Sequence, residues 1–161
     1  MAVQIKPLRQ EYEAFMWELL YKAIFEARES DVPNRAMKDL PDLKHYIEHW
    51  GDKEGDYGLI ALDDGNQPLG AIWVRLFNED DPVWGYVDGE TPELNIALLP
   101  KCRNQGIGSQ LMMQMLGYLK GRVNQVSLSV NPANPSVRLY ERYGFTKYAD
   151  SGPAITMLKK L

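Results

Sequence analysis

The chain has 161 residues, about one globular domain, and its 45% hydrophobic and 25% charged residues argue against disorder. A net charge of −4 disfavours nucleic-acid binding through bulk charge, and the single cysteine, Cys102, excludes an internal disulfide and a cysteine-rich zinc site. No apolar run reaches the ~18 residues of a membrane span, and the first residues do not resemble a secretory signal. We therefore expect one cytoplasmic domain over residues 1–161, without nucleic-acid or membrane partners.

The first half of the chain predicts a strand, two helices and a strand hairpin. Apolar residues recur every three or four positions from Tyr12 to Ala27, which is typical of an amphipathic helix. The sequence Asp-Asp-Gly-Asn at residues 63–66 favours a hairpin turn. The predicted elements are a strand at 3–8, a helix at 11–27, a short helix at 42–50, and strands at 56–62 and 67–77.

The second half predicts an alternation of strands and helices. A second amphipathic pattern begins after Gly106 and Gly108, and Gly121 is expected to end that helix. The other predicted elements are strands at 92–99, 126–130, 145–149 and 154–161, and a short helix at 134–143. This order indicates an α/β fold with a mixed sheet of about six or seven strands flanked by helices, in which residues 92–130 form a parallel crossover.

A glycine-bearing loop joins the strand at 92–99 to the following helix. Its sequence from Arg103 to Gly108 is Arg-Asn-Gln-Gly-Ile-Gly. The first turn of a helix has unpaired N–H groups and a partial positive charge, so it attracts phosphate, and glycine lets the backbone approach closely. Arg103 adds a charge whose geometry suits phosphate. The dinucleotide-binding motif is excluded because its third glycine is replaced by Leu111. The ATP-binding motif is excluded because it needs Gly-Lys-Ser/Thr, where this chain has Gly-Ser-Gln at residues 108–110. The alternative is a turn that only connects two elements.

A second segment, residues 131–145, contains an asparagine and a tyrosine on a short helix. Asn134 is a good N-cap, Pro135 suits the first helical position, and Gly144 suits the C-terminal stop. These roles leave Tyr140 unexplained. A core residue with a satisfied hydroxyl is the structural alternative for it.

The two segments together resemble the GNAT N-acetyltransferase family. Arg-x-x-Gly-x-Gly, Asn-Pro, Leu-Tyr and Gly-Phe follow one another in that order within residues 94–145. The resemblance implies a GNAT fold and direct transfer of acetyl from acetyl-CoA to a primary amine of a small molecule or peptide, without a metal. A homodimer is also expected from this resemblance.

The same resemblance implies roles for individual residues. Tyr140 would be the general acid that protonates the leaving thiolate. Cys102 departs from the family, which commonly has an aromatic residue there, and the change is expected to alter packing rather than chemistry. The cofactor-binding residues by position are Ile96, Ala97 and Leu98 along the strand edge, Arg103, Asn104, Gln105, Gly106, Ile107, Gly108 and Ser109 at the loop, and Asn134.

Amine acetylation also needs a base, because only about one alkylamine in two thousand is unprotonated at pH 7. Glu93, at the start of the central strand, is the candidate general base, acting through a water. Its alternative is a solvated charge at a strand end. A backbone N–H near Leu98 is expected to stabilise the developing oxyanion.

The acceptor site is expected in residues 26–51 and in loops between later strands. Trp84 and Tyr86 are candidates to pack against the carbon chain of a cationic amine. Acidic residues nearby would attract it, unless they are only a solvated hairpin end: Glu79, Asp80, Asp81, Asp88 and Glu90. A polyamine-like amine, an amino sugar, a protein N-terminus and a lysine all stay open.

Two other functional classes remain. A non-catalytic acyl-CoA sensor would use the same cofactor residues without needing Tyr140 as a proton donor. His45, Glu48 and His49 spell H-x-x-E-H, the pattern of a zinc-dependent hydrolase, if the two histidines share a helix face. Cys102 as an acyl-carrying nucleophile lacks a nearby histidine, so a small buried residue is the preferred interpretation.

Overall fold

The computed structural model describes residues 2–26, 44–81, 83–152 and 154–161. The strands in these ranges are β1 (Gln4–Pro7), β2 (Tyr57–Leu62), β3 (Pro68–Arg75), β4 (Glu93–Leu98), β5 (Gln125–Val130), β6 (Thr146–Ser151) and β7 (Ala154–Lys160). The helices are α1 (Glu13–Glu26), α2 (Lys44–Ile47), α3 (Ile107–Leu119) and α4 (Val137–Arg142), with 3-10 turns at Gln10–Tyr12 and Pro100–Cys102. No helix in the described ranges is both long and apolar enough to span a bilayer.

These strands form one mixed sheet in the order β1-β2-β3-β4-β5-β7-β6. Every neighbouring pair is antiparallel except β4 and β5, which are parallel and joined by the crossover through α3. The α/β class, the strand number and the crossover predicted from sequence are confirmed. Strand ends differ by one or two residues, as at β3, which is shorter than the predicted 67–77.

Helices cover both faces of the sheet. On one face α3 buries Leu111, Met112 and Met115, and on the other α1 buries Met16 and Leu19. These are residues of the predicted amphipathic faces. Burial of such side chains stabilises the fold by roughly 1.5–3 kcal/mol each.

The short helix α2 is the main departure from the predicted elements. It ends at Ile47 instead of residue 50, and His49 adopts a left-handed conformation with φ 54°. The Arg75 side chain donates hydrogen bonds to the carbonyls of His45 (3.1 Å) and Glu48 (2.7 Å), so tertiary contacts satisfy the backbone there. Residues 27–43, which include most of the predicted acceptor region, lie outside the described residues.

Candidate active site

A cleft of about 460 Å³ opens where β4 and β5 separate. The two strands share a single pair, Glu93 with Ser127, and diverge beyond it. The cleft brings together residues of β4, of the loop before α3 and of α4, the segments for which cofactor-binding residues are predicted. Its lining consists of Ile96, Ala97, Leu98, Arg103, Gly108, Ala133, Asn134, Pro135, Ser136, Leu139 and Tyr140.

The backbone of β4 offers hydrogen-bonding groups to this cleft. Pro92, just before β4, accepts a hydrogen bond from the Ser127 N–H in β5 (3.0 Å), whereas Leu99, just after it, donates to β3 (2.9 Å). Backbone groups alternate sides along a strand, and the β3–β4 register is unbroken. The N–H and C=O groups of Ile96 and Leu98 therefore face the opening.

The loop before α3 enters the helix through two residues with positive φ. Gly106 is the N-cap with φ 81°, and Asn104 is also left-handed with φ 61°. The first helical hydrogen bond runs from Gln110 N–H to the Gly106 carbonyl (3.1 Å), so the N–H groups that begin α3 have no intrahelical acceptor. Gly108 and Arg103 line the cleft.

Other predicted loop residues lie beside the cleft instead of lining it. The Ile107 side chain is buried in the core, and the Gln105 side chain donates to the Lys101 carbonyl (2.9 Å). Asn104, Gly106 and Ser109 likewise fall outside the cleft lining. Their predicted contribution is through backbone N–H groups, which this arrangement permits.

Tyr140 lies in α4 and lines the cleft while being almost completely buried. Burial raises the pKa of its hydroxyl to about 12, and a hydrogen bond with Ser136 acts in the opposite direction. The ring packs edge-on against Phe145, with centroids 6.1 Å apart. Tyr140 is therefore protonated at neutral pH.

Asn134 lines the cleft and accepts the hydrogen bond of a capping residue, but the regular helix begins two residues later than predicted. The N-cap is Ser136, and the Asn134 Oδ1 accepts a hydrogen bond from the Ser136 N–H (2.8 Å). Hydrogen bonds from Val137 to Asn134 and from Arg138 to Pro135 form a turn that delays the helix by two residues.

Glu93 is 2% exposed, so the interpretation of a solvated strand-end charge is wrong. Its Oε1 accepts a hydrogen bond from the Gly85 N–H (3.1 Å), and its carboxyl group also hydrogen-bonds with the Tyr46 side chain. Burial raises the pKa of Glu93 from its ordinary 4.5 to about 7, and these two hydrogen bonds lower it. Glu93 lies on the strand that lines the cleft, but it is not among the lining residues.

The segment Trp84–Gly85 is tied to the sheet around Glu93. The Ser127 hydroxyl donates to the Gly85 carbonyl (2.6 Å), and the Thr156 hydroxyl donates to the Trp84 carbonyl (3.1 Å). The Trp84 N–H donates to the Tyr46 hydroxyl (3.1 Å). These contacts link β4, β5, β7 and α2 at the level where the cleft begins.

Sequence reasoning missed Tyr46, which connects Glu93 to the chain around α2. Tyr46 is held by the Trp73 indole N–H, which donates to its carbonyl (3.1 Å), and by the neighbouring contacts of Arg75. Arg75 is fully buried and forms an ion pair with Asp56 (3.0 Å). An Arg within an apolar strand was the available signal for this arrangement.

The acidic residues proposed to attract the acceptor have different surroundings. Asp81 and Asp88 accept hydrogen bonds from the backbone of Asn78 (2.8 Å) and Glu90 (2.9 Å), so both stabilise turns. The remaining three, Glu79, Asp80 and Glu90, are exposed. Trp84 and Tyr86 are both half-buried, and Tyr86 packs against the core on the α1 side.

The geometry required for a zinc hydrolase is not met. His49 lies beyond the end of α2, so it does not share a helix face with His45. His45 lies 3.6 Å from Asp81, and His49 lies 3.5 Å from Glu48. Among the described residues, no three potential metal ligands come together. Cys102 is buried, in agreement with a packing role.

Comparison with known proteins identifies the family. Residues 16–145 match the sequence model described as the acetyltransferase (GNAT) family. A mycothiol acetyltransferase of Thermobispora bispora is 30% identical over 122 residues, covering 74% of this chain and 39% of that protein. The chain spans about two fifths of the length of the curated relatives it matches.

Solved structures share the fold. The PaiA N-acetyltransferase of Thermoplasma acidophilum, in complex with coenzyme A, superposes with a TM-score of 0.74 at 17% identity over 100% of both chains. The ribosomal-protein-alanine N-acetyltransferase of Brucella melitensis gives a TM-score of 0.68 at 18% identity, over 98% of this chain and 99% of that one.

Proposed function

Because the chain belongs to the GNAT family of acetyltransferases, we propose that it transfers acetyl from acetyl-CoA directly to a primary amine of a small molecule or peptide. One observation carries this proposal. The opened edge of β4, the N-terminus of α3 and Tyr140 all border one cleft, with the buried Glu93 on the same strand. A solved relative in fold contains coenzyme A, which supports the choice of co-substrate.

The chain's groups fit this co-substrate at both ends of the cleft. The N–H and C=O groups of Ile96 and Leu98 would pair with the amides of the pantetheine arm. The N–H groups beginning α3, with Arg103 beside them, would hold the pyrophosphate. A Cβ built on Gly106 meets no atom within 4 Å, so none of the described residues covers this glycine.

Glu93 is proposed to accept the proton of the amine. A base is most effective when its pKa lies near the working pH, and burial brings the Glu93 pKa to about 7. Its enclosed position requires a water, or a substrate group that reaches past Ala97, to carry the proton. The acetyl thioester supplies the activated carbonyl carbon, and the N–H of Leu98 is the candidate donor to its oxygen.

Tyr140 is proposed to donate its proton to the leaving sulfur. The raised pKa keeps the Tyr140 hydroxyl protonated at neutral pH, so it can donate a hydrogen bond, and then its proton, to the sulfur as negative charge develops there. Formation of the amide bond and cleavage of the carbon–sulfur bond then leave a neutral thiol, and solvent reprotonates Tyr140. General acid catalysis contributes about 10²–10⁴-fold, and a thiolate is a fair leaving group, so the low end is expected.

The test is release of CoA thiol from acetyl-CoA across a panel of amines, comparing the unmodified protein with Tyr140→Phe. We expect kcat to fall about a hundredfold with unchanged affinity for acetyl-CoA. Tyr118→Phe is the matched control, because Tyr118 stacks on Tyr57 and does not line the cleft. It should keep full activity.

Two results would contradict the proposal. Equal activity of Tyr140→Phe and the unmodified protein would remove Tyr140 as the acid. Tight binding of acetyl-CoA without turnover on any amine would favour the alternative of a non-catalytic sensor.

A further inference from the structure

A row of polar side chains crosses the centre of the sheet on the face opposite α3. In β4 and β5, apolar side chains such as Leu94 and Val126 enter the α3-side core, and the alternate residues point to the other face. Central strands covered by helices on both faces are ordinarily apolar on both. The polar row therefore requires an explanation. Its members are Glu93, Asn95, Ser127, Ser129 and Thr156.

Most of the buried members have partners within the chain. Glu93 is satisfied by Gly85 and Tyr46, and the Ser127 and Thr156 hydroxyls donate to the carbonyls of the Trp84–Gly85 segment. Asn95 differs, because its Nδ2 is buried and has no hydrogen-bond partner among the described residues. An unsatisfied buried donor is unfavourable in the unliganded protein, so a ligand that satisfies it gains affinity.

The place of Asn95 along β4 connects this donor to the reaction. Residues two apart in a strand share a face and are separated by about 7 Å. Asn95 thus lies between Glu93, the candidate base, and Ala97, which lines the cleft. Asn95, like Glu93, does not line the cleft, but the water or substrate group that carries the amine proton past Ala97 to Glu93 passes the Asn95 carboxamide.

We propose that Asn95 is a specificity-determining residue that donates a hydrogen bond to an oxygen of the acceptor next to its amine. The acceptor class is then an amine with a carbonyl, carboxylate or hydroxyl oxygen within about two bonds of the carbon that bears the nitrogen. This inference rests on the proposed function. A plain alkylamine leaves the Asn95 donor unpaired, and sites built to hydrogen-bond an oxygen discriminate against substrates that lack it.

Two matched pairs of acceptors test the inference. Nε-acetyl-lysine amide offers an amine beside a carbonyl, and its isomer Nα-acetyl-lysine amide offers only a plain alkylamine. The second pair is 2-aminocyclohexanol and cyclohexylamine, which differ by one hydroxyl. For each pair, kcat/KM of CoA release is measured with the unmodified protein and with Asn95→Leu, which keeps the branching at Cγ and removes the donor.

The ratio of kcat/KM between the members of a pair is the readout. Each amine has the same solution pKa whichever enzyme is present, so a change in this ratio isolates the contact. We expect Asn95→Leu to lower the ratio about tenfold or more, through loss with the oxygen-bearing member. Asn95→Asp, which keeps the shape but replaces the donor with an acceptor, should act in the same direction and covers the case of a Leu variant that does not fold.

Two results would overturn the role of Asn95 and leave the proposed function intact. One is that Asn95→Leu lowers kcat/KM equally for both members of a pair. The other is that the unmodified protein prefers the oxygen-free member. Binding of acetyl-CoA with turnover of none of the four amines would count against the proposed function and, with it, against this inference. The two failures are therefore distinguishable.

Discussion

Ionisation of the buried Glu93 is predicted to destabilise the folded chain, and Glu93→Gln removes this effect. Burial raises its pKa from 4.5 to about 7, so the folded state holds the proton more tightly than the unfolded state. The stability contributed by this proton is fully present below pH 4.5 and is lost as the pH rises through 7. At ~1.36 kcal/mol per pKa unit, the complete loss is about 3 kcal/mol.

Urea unfolding of the unmodified protein and Glu93→Gln at pH 5 and pH 8.5 measures this effect. Gln is neutral at both pH values and its side-chain oxygen can still accept from the Gly85 N–H, so its other effects on stability are nearly independent of pH. We expect the free energy of unfolding to shift in favour of Glu93→Gln by about 2–3 kcal/mol between pH 5 and pH 8.5. A difference between the two proteins that does not change with pH would refute the reasoning.

Four further predictions test the rest of the site. Gly106→Ala should weaken acetyl-CoA binding measured by calorimetry, whereas Gly121→Ala should not. Gly121 is the matched control because both glycines have φ above 80° and open space around an added Cβ. Equal affinity of the two variants for acetyl-CoA would contradict the placement of the loop at the pyrophosphate. In Gly85→Ala the new Cβ would lie 2.6 Å from Glu93 Cδ, so the free energy of unfolding measured in urea should fall by about 1–3 kcal/mol. This loss should largely disappear when Gly85→Ala is made in a Glu93→Ala background. A loss of the same size in that background would show that the added methyl group clashes with another residue. Arg75→Met leaves the buried Asp56 carboxylate without its ion pair and should cost about 3–5 kcal/mol, and a cost below about 1 kcal/mol would contradict this role. Treatment with a zinc chelator should leave acetyl transfer unchanged, and stoichiometric zinc in untagged protein would revive the role of His45 and His49 as ligands.

The elements that local periodicity specifies were predictable from the sequence. Helix α3 is encoded by apolar residues at three- and four-residue spacing and by Gly106 and Gly121, whose left-handed conformations bound it. The turn at residues 63–66 was readable because Asp63 accepts hydrogen bonds from Gly65 and Gln67 within the turn itself. Local chemistry fixes these features, so tertiary structure changes them little.

Features that depend on distant contacts were not predictable. The end of α2 depends on Arg75, which lies 27 residues from Glu48 and binds its carbonyl. A prediction that does not take this contact into account places the H-x-x-E-H pattern on one continuous helix. The contact between Tyr46 and Glu93 joins segments that have no common motif, and only the fold shows that Glu93 is buried and not solvated.

The functional character of β4 depends on its register more than on its composition. Leu94 packs against α3, Glu93 and Asn95 point to the opposite face, and the backbone of Ile96 and Leu98 faces the gap toward β5. A slip of one residue would exchange the two faces, placing a leucine beside Gly85 and a carboxylate in the apolar core. The unbroken pairing with β3, from Glu93 opposite Arg75 to Leu98 opposite Gly70, prevents this slip. A Cβ at Gly70 would come within 2.9 Å of the Ala97 carbonyl, so this glycine permits the close approach of β3 to the strand that carries the site.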